Sequence, residues 1–136
     1  GLTCVRRSQK RDPGAADVYM ADTLGEMGLW YELSPVVFPG GSLGRAGGHN
    51  PYEPAQMNCA LLSGKRVANF ADVYAAFEEA GAVRLVKNSK ELASEVALLL
   101  TDLEEQRGQK SVAMSLAKSQ LAELDGFAEE LDRLLT

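Results

Sequence analysis

Between Pro39 and Pro54 the chain reads Pro-Gly-Gly-Ser-Leu-Gly-Arg-Ala-Gly-Gly-His-Asn-Pro-Tyr-Glu-Pro, with five glycines and the only histidine of the sequence. The apolar run Val36-Val37-Phe38 precedes it, and Pro54 to Met57 reads as the start of a helix. Strand, glycine loop and helix start is the order that turns bare backbone N–H groups toward an anion. A connection serving only the fold needs fewer residues. The stretch therefore predicts an α/β fold with a binding surface on this loop.

The flanking sequence alternates short apolar runs with helical spacing. Leu2 to Arg6 and Asp17 to Ala21 read as strands joined by a basic, Pro-Gly-rich connection over residues 7 to 15. Asp22-Thr23 signals a helix start, Leu24, Met27, Trp30 and Tyr31 fall at helical spacing with Trp30 and Tyr31 in a core, and Ser34-Pro35 stops the helix. Ala60-Leu61-Leu62 and Ala82 to Val86 are further strands. Asn69 is expected to cap a helix through Ala80 that Gly81 ends, and Ser89 to start the next. This alternation predicts a Rossmann-like parallel sheet covered by helices on both faces, with ligands beyond the carboxyl ends of its strands. The loops at 22–28 and 40–53 are both expected on that edge. Residues 1–102 form this domain; residues 103–136 read as a helical tail of two helices broken near Asp125-Gly126.

Several function classes fall away. A net charge of −5 argues against a nucleic-acid binder, and Arg6, Arg7, Lys10 and Arg11 carry no interleaved aromatics, so they read as a solvated strand end. Cys4 and Cys59 have no metal-ligand spacing and are expected as buried free thiols; one histidine makes no zinc site or triad. No stretch approaches a membrane span. No Walker A pattern occurs, and Gly40-Gly41-Ser42-Leu43-Gly44 misses the dinucleotide fingerprint. The chain begins at Gly1 in a strand-like segment, which leads to the expectation of a soluble piece of a longer polypeptide.

Two constellations can carry chemistry. In Asp22-Thr23-Leu24-Gly25-Glu26-Met27-Gly28 the glycines allow close backbone approach, while Glu26 either completes a capping box with Thr23 or contacts a ligand. In Gly47-Gly48-His49-Asn50-Pro51-Tyr52-Glu53-Pro54, His49 and Asn50 can donate to an anion and Glu53 can accept sugar hydroxyls; alternatively Asn50 is a helix cap and Glu53 a dipole partner. Arg45 is either an anion partner or an exposed loop arginine.

The ordered set Asp22-Thr23-x-Gly25-Glu26-x-Gly28-Leu29-Trp30-Tyr31, Phe38-x-Gly40-Gly41-Ser42-Leu43, Gly47-Gly48-His49-Asn50-Pro51-x-Glu53-Pro54 and Asn69-Phe70 resembles the C-terminal half of the 3-deoxy-D-manno-octulosonic acid (Kdo) transferases over residues 1 to 100. The resemblance implies one half of a GT-B glycosyltransferase, an inverting enzyme moving Kdo from CMP-Kdo to a lipid A precursor in lipopolysaccharide biosynthesis. By the same resemblance, Gly25, Glu26, Gly48, His49, Asn50 and Glu53 line the donor site, with no metal and no cofactor beyond the donor. The family's acceptor-binding half, catalytic base and membrane-associating segment have no counterpart here. The chain alone is thus expected to be inactive, and its parent to sit at the cytoplasmic face of the bacterial inner membrane. The tail is expected to pack on its own domain or on the N-terminal half, and to favour self-association when uncovered. The alternatives are a transferase using another nucleotide sugar and a stand-alone phospho-ligand binding module.

Overall fold

A computed structural model of the protein describes residues 1–135. Contacts divide it into two compact units, Gly1–Trp30 and the chain from Tyr31 onward.

In the first unit, β1 (Cys4–Arg6) and β2 (Val18–Met20) pair in parallel, with Val5 opposite Tyr19. Carboxylates hold the ends of this two-stranded sheet. Asp17 Oδ2 accepts from the Thr3 amide and hydroxyl at 2.8 and 2.7 Å, and Asp22 accepts from the Ser8 amide and hydroxyl at 2.9 and 2.7 Å. Asp22 is therefore committed to Ser8 and caps nothing. The helix expected from Leu24 instead begins at Met27 as α1 (Met27–Leu33), leaving Leu24 fully exposed. Cys4, expected to be buried, is exposed, because a strand this short in a two-stranded sheet has no second layer over it.

These carboxylates make the unit acid-sensitive. Hydrogen bonds from Thr3, Ser8 and Arg7 hold Asp17, Asp22 and Glu26 below their ordinary values of 3.8, 3.8 and 4.5. A depressed folded pKa stabilises above the unfolded value, and that contribution is lost as pH falls through the folded one. Trp30, the only tryptophan, lies 5.6 Å from the Tyr19 ring within this unit. Its emission should hold from pH 7 down to the carboxylate range and shift below it; a flat profile into strong acid would contradict the linkage.

In the second unit, β3 (Val36–Val37), β4 (Ala60–Gly64) and β5 (Val83–Val86) form a parallel sheet in that order, with β4 central and buried along its whole length. A continuous apolar run bounded by turn residues makes such a strand, since both faces must be covered. On one face, Leu61 packs with Tyr74 and Phe77 of α3 (Ala71–Glu79), Ala55 of α2 (Tyr52–Gln56), and Ala113 and Ala117 of α5 (Leu103–Leu135). On the other, Ala60 and Leu62 meet Leu99 of α4 (Ser89–Thr101). Asn88 caps α4, its Oδ1 accepting from the Lys90 and Glu91 amides at 3.0 Å. Gly81 ends α3 at φ +75°, as its position beyond the last helical turn predicts.

Two expectations fail here for local reasons. Asn69 does not cap α3: a 3-10 turn over Ala68–Phe70 intervenes, and the Asn69 amide and side chain bond the glycine loop instead. The tail is one helix of 33 residues running through Asp125 and Gly126. A glycine inside a helix costs only ~1 kcal/mol, and the leucine, alanine and glutamate around it propagate the helix. No described helix is long and apolar enough to cross a membrane.

Candidate functional site

The glycine loop leaves β3 and folds back over the carboxyl end of β4, where the segment 64–74 grips it. The Gly64 amide donates to Ser42 Oγ at 2.8 Å, the Arg66 amide to the Ser42 carbonyl at 3.0 Å, and the Asn69 amide to the Gly47 carbonyl at 3.1 Å. Asn69 Nδ2 donates to the Ala46 carbonyl at 3.0 Å, and the buried Tyr74 hydroxyl to the His49 carbonyl at 2.9 Å. In each of these bonds the loop is the acceptor. Its carbonyls from Ala46 to His49 are turned into the protein at three of four residues.

Gly48 is the exception among these four residues. It is buried, sits at φ +80°, and makes no hydrogen bond through its amide or its carbonyl among the described residues. The amides of buried Ser42 and Gly47 are likewise without a protein partner among the described residues, although buried backbone amides are nearly always paired. Positive φ at Gly41, Gly47 and Gly48 shapes the turns of this loop.

The other candidates fall in distinct places. The His49 side chain is exposed and its imidazole lies against Gly41, where an added Cβ would stand 3.5 Å from Cδ2 and Nε2. Asn50 Oδ1 accepts from the Tyr52 amide at 2.9 Å, which fixes the entry to α2 and leaves Nδ2 without a partner among the described residues. Asn50 and exposed Glu53 share a hollow of about 210 Å³ with Tyr52, Ala117, Gln120 and Leu121. Arg45 is exposed. Two cations escaped the sequence reading: Lys65 and Arg66 follow β4 directly, and Arg66 Nη1 reaches the Gly44 carbonyl at 3.5 Å. A basic pair placed immediately after the terminal glycine of a buried strand was the available signal.

In the first unit, Glu26 takes a two-point bond from Arg7, Nη2 to Oε1 at 2.7 Å and Nε to Oε2 at 3.2 Å, and the Thr23 hydroxyl also donates to it. Arg7 first, then Thr23, holds the carboxyl below its usual range. The bond from Thr23 reaches the Glu26 side chain rather than its amide, so no capping box forms. Arg7, Lys10, Arg11, Tyr19 and Glu26 line a cavity of about 800 Å³. Gly25, at φ +82°, makes no hydrogen bond among the described residues, and a Cβ there would meet nothing.

No family model matches the chain. Individual proteins do. A 3-deoxy-D-manno-octulosonic acid transferase of Haemophilus influenzae is 32% identical over 104 residues, covering 76% of this chain and 24% of that protein. A probable mitochondrial 3-deoxy-D-manno-octulosonic acid transferase of Arabidopsis thaliana is 35% identical over 126 residues, covering 86% of this chain and 28% of that protein. The crystal structure of the C-terminal CMP-Kdo binding domain of WaaA from Acinetobacter baumannii superposes with a TM-score of 0.80 at 34% identity, covering 84% of this chain and 60% of that one. The chain thus spans about a quarter of the length of these transferases.

Proposed function

The chain belongs to the 3-deoxy-D-manno-octulosonic acid transferase family, and on that premise we propose that it is the part of such an enzyme that holds the donor, CMP-Kdo. The unpaired amide of buried Gly48 at the carboxyl edge of the sheet carries this reading. CMP-Kdo brings a phosphate diester and a carboxylate, and bare amides flanked by cations suit either. Gly48 and Asn50 Nδ2 are assigned to these anions together with His49, and Glu53 to hydroxyls of the sugars. Arg45, Lys65 and Arg66 supply the positive field. The Gly25–Glu26 turn is assigned to the donor on its motif alone; Glu26 acts there by orienting Arg7.

The remaining chemistry belongs to the rest of the transferase. Inverting transfer to a lipid A precursor needs a base for the acceptor hydroxyl. The proposal places that base, the acceptor site and the association with the cytoplasmic face of the inner membrane outside residues 1–136. Along the last third of α5, Leu121, Leu124, Phe127, Leu131 and Leu134 are exposed and continue the helix face that Gln109, Ala113 and Ala117 bury earlier. This stripe is assigned to contact with the rest of the enzyme, and to self-association in its absence.

The test has two arms. The chain mixed with CMP-Kdo and a lipid A precursor should transfer nothing, while calorimetry should detect CMP in preference to UMP. In the full-length enzyme, His49→Ala and Glu53→Ala should each lower transfer by about tenfold or more, the worth of one charge-assisted contact. Unchanged kinetics in both would remove these residues from the site, and a preference for UMP would replace the donor.

A further inference from the structure

Along α5, residues 106 to 122 contain no aspartate or glutamate but carry Arg107, Lys110 and Lys118. Successive helical residues turn by about 100°, which brings 107, 111 and 118 onto one side and 110 and 115 to its flanks. With Asn58, in the turn between α2 and β4, these residues line a groove of about 420 Å³. None of the three cations has an ion pair or hydrogen bond among the described residues, whereas Arg133, further along the same helix, lies 3.5 Å from Glu130. Three unpaired like charges facing one concavity repel each other, in a chain whose net charge is −5.

We propose that this groove binds a phosphate ester. Most of its polar side chains are suited to donating: the guanidinium of Arg107, the ammonium groups of Lys110 and Lys118, the hydroxyls of Ser111 and Ser115, and the amide of Asn58, while Gln106 spends its Nε2 on the Leu99 carbonyl. No carboxylate faces it, so a cation or neutral sugar would find no anionic acceptor there. Eleven residues of helix separate Arg107 from Lys118, or ~16 Å, which suits a ligand with more than one phosphate or a row of headgroups. The groove is separate from the glycine loop. Asn58 precedes β4 while the loop folds over its far end at Gly64, and a five-residue strand is ~17 Å long. The proposal therefore stands without the donor reading.

Phosphate of this kind can come from a soluble ester or from a phospholipid headgroup, and the experiment separates them. Inorganic pyrophosphate is titrated into the chain at low salt and followed by the amide resonances of residues 107 to 118. In parallel, the chain is floated with vesicles of phosphatidylcholine alone or with about one third phosphatidylglycerol. Lys110→Gln/Lys118→Gln should weaken whichever interaction exists by about tenfold or more, while Lys118→Arg should keep it. Lys118 is exposed and Lys110 half-buried, and matching urea unfolding curves establish that the fold is unchanged. Pyrophosphate binding lost in the double variant supports the groove with a soluble source. Flotation on the anionic vesicles alone, lost in the same variant, supports it with headgroups. Silence in both assays, or binding that the double variant leaves intact, overturns the proposal.

Discussion

Replacing Gly64 with alanine is expected to cost about 3 kcal/mol of unfolding free energy, the upper range for overpacking a closely packed interior. Gly64 ends the central strand, and a Cβ there would overlap the carbonyl carbon and oxygen of Ser42 and crowd the Leu43 nitrogen at 2.8 Å. Those are backbone atoms and cannot swing aside. The same residue donates its amide to Ser42 Oγ, and Ser42 accepts again from Arg66, so moving the loop to admit a methyl group breaks two further hydrogen bonds. Gly44→Ala is the matched control: it lies in the same loop, has no neighbour within 4 Å of the added carbon, and should leave the urea midpoint unchanged. Ser42→Ala should fall between, at about 1–3 kcal/mol, because it leaves the buried Gly64 amide unpaired. Equal midpoints for the Gly64 and Gly44 variants would mean the loop is not held by this clasp.

That clasp explains which parts of the fold were legible from sequence. The buried strand Ala60–Gly64 announces itself as an apolar run, and the alternation of such runs with helical spacing carries the parallel α/β architecture. Gly81 was legible because ending a helix at positive φ is a local matter. Asn69 and Asp22 were misread because each is a good cap in isolation but is taken up by a partner 14 or more residues away, which no local pattern records. Asp125-Gly126 reads as a break because propensity counts its glycine, while helix continuity is decided by the residues on either side. Cys4 was misjudged since burial depends on how many layers cover a strand, a tertiary property. For the candidate site, the glycine density pointed to the loop on which the proposed donor site rests. That the 64–74 segment collects the loop carbonyls and leaves the Gly48 amide bare could be seen only in three dimensions.

Because that amide carries the functional reading, Gly48→Ala should remove most of the affinity that a phosphate adds to a nucleoside. An alanine at φ +80° occupies a left-handed conformation disfavoured by roughly 1–2 kcal/mol, and its Cβ would press on Val67 at 3.1–3.5 Å. Relief requires the peptide to rotate, which takes the amide off its line. A charge-assisted hydrogen bond is worth about 1.5–3 kcal/mol, so the wild-type chain should bind CMP on the order of thirtyfold more tightly than cytidine. In the Gly48 variant that ratio should fall by about tenfold or more while cytidine binding stays the same. The ratio matters more than either affinity, because general loosening of the loop would weaken nucleoside and nucleotide together. Calorimetric titration of the four combinations measures it directly. A wild-type chain that does not distinguish CMP from cytidine, or a variant that keeps the full preference, would show that the bare amide does not capture the anion. The positive field of Arg45, Lys65 and Arg66 would then have to account for donor binding, and the affinity would fall steeply with added salt.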